Sequence, residues 1–423
     1  MATALVVGNM IGSGVFLLPA SLGPYGAVSM VGWLFSSAGA MLLALTFAWL
    51  ARDLPRAGGP YAWTRATFGD FPAFLVAWGY WLSICAGNAA IAVAMVSYVG
   101  FHTIIGAAGP GVGAALAVGS VWALTWVNAR GVRTAGGVQV ATTVLKLVPL
   151  VAVGTFGLMF AEWENFTPFN PSGRSTFGAV SATAALTLWA FLGLESATIP
   201  ADEVEHADRT IPRATLLGTA IAAVVYILGT VAVMGVLSPA AVATSTAPFA
   251  DAAERIWGHW ASHAVALGAA VSCFGALNGW ILLQGQVPLA TAADGLFPTV
   301  FGRRSSRGTP TAALVLSSVL VTLIVAANYT KGLVGAFTFI ILLATLTTLI
   351  PYAFSSMALV VSDLRQRRAP PARRITVALL AFAFSVWAIV GSGAQTVMWG
   401  CVLLLLGVPV YAGMRRRARP AGP

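Results

Sequence analysis

The sequence predicts an all-α membrane protein with twelve transmembrane helices. Its composition, its apolar segments and the positions of its arginines support this fold class. Of the 423 residues, 58% are hydrophobic and only 9% are charged, and the mean hydropathy is +0.85. Soluble domains carry about 25% charged residues. We therefore expect most of the chain to lie within lipid, with no separate soluble domain.

Long apolar segments recur along the whole chain. A helix needs about 20 predominantly apolar residues to cross the hydrocarbon of a bilayer. Twelve segments meet this requirement, at about 2–22, 26–50, 71–101, 109–128, 138–160, 176–200, 212–237, 259–290, 309–327, 332–360, 374–392 and 396–414.

Basic residues are distributed unequally between the two predicted sides. With the amino terminus in the cytoplasm, 19 of the 23 Lys and Arg residues fall in cytoplasmic loops or at span ends, and three fall outside. This asymmetry is the positive-inside pattern, and one span too many or too few would destroy it. We therefore expect both termini in the cytoplasm. The Arg-rich segments 365–374 and 415–419 suit an anionic inner leaflet.

Several function classes are disfavoured. The net charge of +10 does not indicate nucleic-acid binding, because the basic residues are scattered over short loops. Cys85, Cys273 and Cys401 lack the paired spacing of a disulfide framework or a thiolate metal site. An enzyme needs several convergent reactive groups, which two isolated charges do not supply. A channel needs a continuous polar ring or carbonyl filter, and the sequence contains no such run. We expect no cofactor and no metal ion. A transporter-like sensor that does not transport stays open.

Two charged residues lie deep inside apolar segments, Lys146 and Glu195. A charge at the bilayer centre costs roughly 2.5–3.5 kcal/mol on insertion scales, so such residues usually face a cavity or a partner. Glu195 is either a structural acid satisfied by hydroxyls or a proton-linked gate. Lys146 either extends to the membrane surface or bridges freed carbonyls of span 1, where it would replace a sodium ion.

Spans 1 and 6 each contain a glycine-rich interruption beside polar residues. Span 1 carries Gly12-Ser13-Gly14, and span 6 carries Gly193 next to Glu195. The glycines either permit close helix packing or allow the helices to unwind. Unwinding would free backbone N–H groups for a carboxylate and carbonyls for an ammonium. Interruptions at corresponding positions of two five-helix halves indicate an inverted repeat with a binding site at the midplane.

Six stretches of the sequence are similar to one transporter superfamily. They are GNMIGSGVFLLPA (8–20), RAGGPYAW (56–63), YWLSICAGN (80–88), TLWAFLGLESAT (187–198), DGLFP (294–298) and VGSGAQTVMW (390–399). They resemble the amino acid–polyamine–organocation (APC) superfamily, and within it the bacterial arginine/agmatine antiporters. The resemblance runs from about residue 8 to about residue 414.

The resemblance implies a 5+5 inverted repeat, the LeuT-like fold, with two more C-terminal helices that form a homodimer in these antiporters. Repeat one would span about 2–160 and repeat two about 176–360, followed by helices 11 and 12 at about 374–414 and a basic cytoplasmic tail at 415–423. The chain would work by alternating access in a bacterial inner membrane.

The resemblance also implies a site for the backbone groups of an amino acid. Ser13 and Gly14 would bind its carboxylate. The carbonyls of Met10, Trp189 and Leu192 would receive its α-ammonium.

Further positions acquire roles from the same resemblance. Trp189 would stack on the substrate as a middle gate, Trp280 would form a second aromatic wall, and Asn88 would contact the distal head group. The remaining assignments are an inner gate of Tyr80, Glu195 and Tyr352 and a cytoplasmic pH-sensitive layer that includes Tyr61.

The chain departs from the arginine antiporter pattern around the side-chain pocket. At the pocket floor it has Ser83-Ile84 where the pattern carries Ala-Cys, Ile91 replaces an expected methionine, and Ala344 replaces a small polar residue. Lys146 instead resembles the lysine that replaces sodium in proton-coupled and exchanging amino acid carriers. These changes leave the predicted site for the amino acid backbone intact and make the pocket more apolar.

We therefore predict a secondary active transporter, not an enzyme. Its leading mode is arginine/agmatine-type exchange of an amino acid for a polyamine. The alternative is proton-coupled uptake or export of a more neutral amino acid. The expected partners are the small-molecule substrate, membrane lipids and a second copy of the chain, with no nucleic acid.

Overall fold

The fold is described from a computed structural model. It describes the backbone of residues 1–100, 110–329, 334–366 and 371–418, and the side chains of residues 1–98, 111–329, 346–365 and 371–414. Of the predicted features, the side chain of Ala344, the side chains of the tail at 415–423 and the backbone of 419–423 lie outside these described residues. The backbone of 415–418 continues the last helix.

The described residues form sixteen α-helices joined by turns and short 3₁₀ segments. They are α1 (Ala2–Met10), α2 (Gly14–Leu22), α3 (Val28–Asp53), α4 (Pro60–Phe68), α5 (Asp70–Gly100), α6 (Pro110–Ala129), α7 (Val132–Phe156), α8 (Thr176–Leu188), α9 (Ala207–Val236), α10 (Pro239–Thr244), α11 (Pro248–Trp257), α12 (His259–Ala293), α13 (Thr311–Tyr329), α14 (Val334–Gln366), α15 (Ala372–Gly391) and α16 (Ala394–Ala418).

Twelve helical segments in the described residues are long and apolar enough to cross a membrane, which confirms the predicted all-α fold with twelve spans. Span 5 begins at Val132 rather than near 138, and span 7 begins at Ala207 rather than near 212. The extra turns contain charged residues such as Arg133 and Asp208. The apolar segment seen in the sequence stops at these charged residues. The helix itself continues through them, because its backbone hydrogen bonds do not require apolar side chains.

Three short helices lie outside the spans and are not predicted from hydropathy. The helix α4 connects spans 2 and 3, while α10 and α11 connect spans 7 and 8. Each begins with a proline at its first helical position. Proline is favoured there because its missing N–H would have no helical partner.

Spans 1 and 6 are discontinuous, as the sequence predicts. Span 1 divides into α1 and α2 around residues 11–13, and span 6 leaves the α-helix after Leu188. By contrast, α12 and α14 continue through Pro288 and Pro351. The interruptions are five spans apart, so the two broken segments cross the bilayer in opposite directions. The division of the chain into two repeats remains a prediction.

Helix packing brings the two broken spans together. The helix α1 packs against α7, α9 and α12, and it also contacts the 3₁₀ turn Ser196–Thr198 of span 6. The helix α5 packs along α12 and α14. The broken segments are therefore enclosed by long continuous helices.

Arg374 joins three spans at the end of the helix bundle that carries most of the basic residues, here called the arginine-rich face. Its Nε lies 2.7 Å from Oδ2 of Asp363 on α14, and its Nη2 lies 2.5 Å from Oδ2 of Asp53 on α3. The guanidinium also lies over the Trp49 ring, 5.4 Å from its centroid. Asp363 is only 3% exposed and is a buried charge that sequence inspection missed. Arg374 therefore anchors α15 to the end of both partner helices.

We expect Arg374→Ala to lower the free energy of unfolding by about 3 kcal/mol, because it removes the cation from a buried carboxylate. Thermal unfolding of the detergent-purified protein measures this change. The control Arg209→Ala removes an exposed pair with Asp208 and should cost less than about 1 kcal/mol. Equal destabilisation by both variants would contradict the anchoring role.

Candidate functional site

The break in span 1 is a three-residue non-helical segment. The helix α1 ends at Met10, Ile11 takes φ −81° and ψ 85°, and α2 begins at Gly14. A Cβ on Gly14 would lie 3.1 Å from Cδ1 of Trp189, so the indole approaches the start of α2 closely because residue 14 has no side chain. Both interpretations of the glycines therefore apply here, since the backbone is unwound and closely packed.

The break in span 6 has a different form. The helix α8 passes into a 3₁₀ turn at Trp189–Phe191, Leu192 is extended, and Gly193 has φ 107°, which favours glycine. The segment then continues in short 3₁₀ turns rather than in a second α-helix. Thr198 contributes to this geometry, because its N–H and its hydroxyl both donate to the Glu195 carbonyl, at 2.8 and 2.7 Å.

A cavity of about 60 Å³ lies between the two breaks, which is room for a few water molecules. Nine of the predicted substrate-binding residues line it, namely Met10, Ser13, Gly14, Ser83, Ile84, Ile91, Trp189, Leu192 and Trp280. Its other lining residues were not predicted and are Asn9, Gly12, Val15, Gly87, Ala190 and Thr348.

Asn88 does not line the cavity. Its side chain is buried, and its amide donates to Oε1 of Gln284 on α12 at 2.8 Å. Gln284 in turn donates to Ser318 on α13 at 2.8 Å. In this structure Asn88 therefore links helices, and its predicted contact with a distal head group requires a different arrangement.

Backbone N–H groups at the two breaks donate hydrogen bonds to carbonyls that could also accept from a ligand. The Met10 carbonyl accepts from the Gly12 N–H at 3.0 Å, and the Trp189 carbonyl accepts from the Leu192 N–H at 3.2 Å. A carbonyl oxygen has two lone pairs, so each can accept a further bond from an ammonium. The first turn of α2 supplies N–H groups next to them.

Lys146 lies directly behind the break in span 1. Its ammonium donates to the carbonyls of Gly8 at 2.8 Å, Ile11 at 2.6 Å and Ser272 at 3.3 Å, and the residue is fully buried. The hydroxyl of Ser272 donates to the Ile11 and Gly12 carbonyls at 3.1 Å each. The side chain therefore reaches backbone oxygens rather than the membrane surface, at the negative end of the α1 dipole.

Glu195 is fully buried beneath the cavity and is held by hydroxyls. One carboxylate oxygen accepts from Tyr80 and the other accepts from Tyr352. The Gly193 N–H donates to the Tyr352 oxygen at 3.2 Å. The three residues of the predicted inner gate thus lie together and connect α5, span 6 and α14.

Two hydroxyls lie one turn away from this cluster and face the cavity. The Thr348 hydroxyl donates to Ser83 Oγ at 3.0 Å, and Ser83 donates to the Tyr80 carbonyl at 2.7 Å. Thr348 precedes Tyr352 by four residues on α14, so both fall on one helix face. Because Tyr352 was already predicted as a gate residue, its spacing of four residues from Thr348 could have identified Thr348 as a residue near the cavity.

Asn9 lines the central cavity and contacts two residues that line a second one. Its amide donates to Ser196 Oγ at 2.8 Å, and its oxygen accepts from Gln139 at 3.5 Å. The second cavity, of about 630 Å³, is lined by Gln139, Asn278 and Gly279 together with charged residues of the arginine-rich face. A Cβ on Gly279 would lie 1.9 Å from the Asn9 oxygen, so the Asn9 side chain packs directly against the Gly279 backbone.

Tyr61 lies on α4 in a charged layer at the arginine-rich face. Its hydroxyl donates to Asp294 at 2.9 Å, and Arg65 lies 2.5 Å from Asp294 and 3.0 Å from Asp70. Burial, and then the Asp294 carboxylate, raise the pKa of the Tyr61 phenol. The Tyr61 phenol therefore stays protonated at physiological pH and can donate its hydrogen bond to Asp294.

Comparison with known proteins adds a family to this geometry. A model of the family described as amino acid permease matches residues 1–404. A putrescine transporter PotE of Haemophilus influenzae is 31% identical over 414 residues, covering 97% of this chain and 94% of the relative. The putrescine transporter PotE of Escherichia coli K12 is 32% identical, with the same coverage.

A cadaverine/lysine antiporter of Escherichia coli K12 is 36% identical over 371 residues, covering 85% of this chain and 82% of the relative. The predicted superfamily is confirmed, whereas none of these three relatives is named for arginine or agmatine. The chain belongs to the amino acid permease family of the APC superfamily, a family of transporters rather than of enzymes.

Proposed function

We propose that this chain is an antiporter that exchanges an amino acid for a polyamine by alternating access. The observation that carries this proposal is the cavity between two unwound spans, with backbone groups of both along its walls. Arginine and agmatine are the first pair to test. Lysine, cadaverine and putrescine follow, because relatives carry those substrates in their names.

The α-amino and carboxylate groups of a substrate fit opposite sides of the break. The first turn of α2, around Ser13 and Gly14, presents N–H groups and the positive end of a helix dipole to a carboxylate. The carbonyls of Met10, Trp189 and Leu192 suit an ammonium. The Trp189 indole covers Gly14 and would stack on a bound chain, with Trp280 as a second wall.

Four further residues lining the cavity would contact the side chain of the substrate. Ile84 and Ile91 line it with apolar surface, and Ser83 and Thr348 add two hydroxyls. Hydroxyls accept hydrogen bonds from a cationic head group, and isoleucines suit an aliphatic chain. The alternative is proton-coupled transport of a more neutral amino acid. Its support is that no acidic or basic side chain lines this cavity among the described residues.

The second cavity offers a release route to the arginine-rich face. Asn9 separates it from the central cavity through two neutral hydrogen bonds, each contributing about 0.5–1.5 kcal/mol. That cost is small enough for a gate to open thermally. On this proposal the arginine-rich face is cytoplasmic, both termini lie there, and Tyr80, Glu195 and Tyr352 close the cavity on the side of α5 and α14.

Counterflow in proteoliposomes tests the proposal and its alternative. We expect agmatine, cadaverine or putrescine inside the vesicles to accelerate uptake of the corresponding amino acid, because an exchanger returns faster when it is loaded. Alanine inside the vesicles is the matched control and should not accelerate it. Amino acid entry into empty vesicles driven by a pH gradient would select the alternative, and no saturable flux of any of these compounds would reject both.

Lys146→Ala should reduce transport by at least about tenfold, since it leaves buried carbonyls without their donor, a loss of about 1–3 kcal/mol per group. The wild-type flux should be the same in sodium and in choline buffers. Thr143→Ala is the control, because Thr143 also bonds α1, at the Ala4 carbonyl, but carries no charge. Strict sodium dependence of the wild-type protein would overturn the ion-substitute role.

Glu195→Gln should flatten the pH dependence of transport, because it keeps the shape and an acceptor oxygen but removes the titratable proton. Substrate binding, measured by calorimetry, should change little, since Glu195 lies behind the tyrosines. Glu162→Gln changes an exposed acid paired with Arg255 and serves as the control. A pH profile in Glu195→Gln that matches the wild type would leave Glu195 as a structural acid.

A further inference from the structure

Exposed arginines lie at the end of α6 and in the loop that contacts it, at the face where most basic residues lie. Arg130 follows the last residue of α6, and its guanidinium carbon lies 3.8 Å from the centroid of the Trp126 ring. Trp126 is 58% exposed, so the stacked pair faces outward rather than into the helix bundle. A cation stacked on a ring is oriented while its N–H groups remain available to an anion.

The loop between α12 and α13 is fixed against the same point. The Thr309 hydroxyl donates to the Ala129 carbonyl at 3.0 Å, and the Ser305 N–H donates to the Thr309 carbonyl at 2.8 Å. The Gly308 N–H donates to the Ser305 carbonyl at 2.9 Å, and the Arg307 N–H donates to Ser305 Oγ at 3.3 Å. These bonds hold Arg307 two residues along the chain from Thr309, which contacts the end of α6.

The charge in this region is largely uncompensated. Arg304 lies 3.6 Å from Glu203, whereas Arg130, Arg303 and Arg307 form no ion pair with a carboxylate among the described side chains. All three are exposed. Several exposed guanidinium groups without an ion-pair partner attract an anion with several oxygens.

An apolar helix face continues from this group into the predicted bilayer. Trp122 lies one turn before Trp126 and is 36% exposed, and Val112 and Leu116 are exposed farther along α6. Tryptophan is enriched where hydrocarbon meets head groups. Guanidinium groups above and an apolar stripe below match an amphiphile with an anionic head and acyl chains.

We propose that Arg130, Arg303 and Arg307, together with Trp126, bind the head group of an anionic glycerophospholipid. The phosphate accepts from the guanidinium groups, and an acyl chain lies along Trp122 and the exposed face of α6. A head group bound here would also hold the 303–309 loop, which is linked to the wall of the second cavity through Arg304 and Glu203. This proposal does not depend on which substrate the protein carries.

Native mass spectrometry of the full chain with phosphatidylglycerol tests the site. We expect retained lipid, and an apparent affinity that falls about fivefold for Arg130→Ala and again for Arg307→Ala, since one arginine near a lipid surface contributes about 1 kcal/mol. Trp126→Leu should also weaken retention. Phosphatidylcholine should show no difference between wild type and variants, because it carries no net charge.

The control is Arg209→Ala, another exposed arginine at the same face, at the start of α9. Equal weakening by Arg209→Ala would mean diffuse surface charge and would overturn the site. Displacement of the lipid by millimolar inorganic phosphate would do the same, because it would indicate a simple anion site. Unchanged retention in the Arg130→Ala, Arg307→Ala double variant would also reject it, with unaltered thermal unfolding establishing that the variant is folded.

Discussion

The contact between the Lys146 ammonium and the carbonyl end of α1 is the interaction on which the remainder of the site depends. Moving an ammonium out of water costs several kcal/mol, and each hydrogen bond to a charged group contributes about 1.5–3 kcal/mol. The three carbonyls around Lys146 therefore give a stabilisation of the same order as the cost. Without the cation, the unwound backbone at residues 11–13 would have buried oxygens and too few donors.

The broken spans solve the same chemical problem in two ways. Span 1 satisfies its freed carbonyls from outside, through a lysine on α7 and a serine on α12. Span 6 satisfies its own carbonyls through short turns and the Thr198 hydroxyl, and it uses tyrosines for its carboxylate. Neighbours also hold span 6, since the Ala190 carbonyl accepts from Tyr226 on α9 and the Gly193 N–H donates to Tyr352 on α14. Both segments are therefore fixed by surrounding helices, span 1 chiefly through a cation and span 6 chiefly through hydroxyls.

The sequence contains the features that depend on composition and backbone chemistry. Apolar segments strongly prefer lipid, glycines permit unusual backbone angles, and charges are costly in lipid. The twelve segments, the glycines at the two breaks and the two buried charges can therefore be recognised in a single sequence. Asn9, Thr348 and the orientation of Asn88 are different, because an amide or hydroxyl is compatible with many helix contacts and its direction depends on packing. The burial of Asp363 was not predicted, because its partner Arg374 lies on another helix. The helices α10 and α11 were not predicted either, because short connecting helices leave little hydropathy signal.

The proposed wall between the two cavities, formed by Asn9, Ser196 and Gln139, has an electrical consequence. Its members are uncharged, so their rearrangement transfers no elementary charge through the transmembrane field, where each charge moved would contribute about 2.3 kcal/mol per 100 mV. On the proposed release route, opening of this wall would therefore move no net charge through the membrane. The current carried per cycle is left to the cargo and to whichever ionisable side chain changes its protonation.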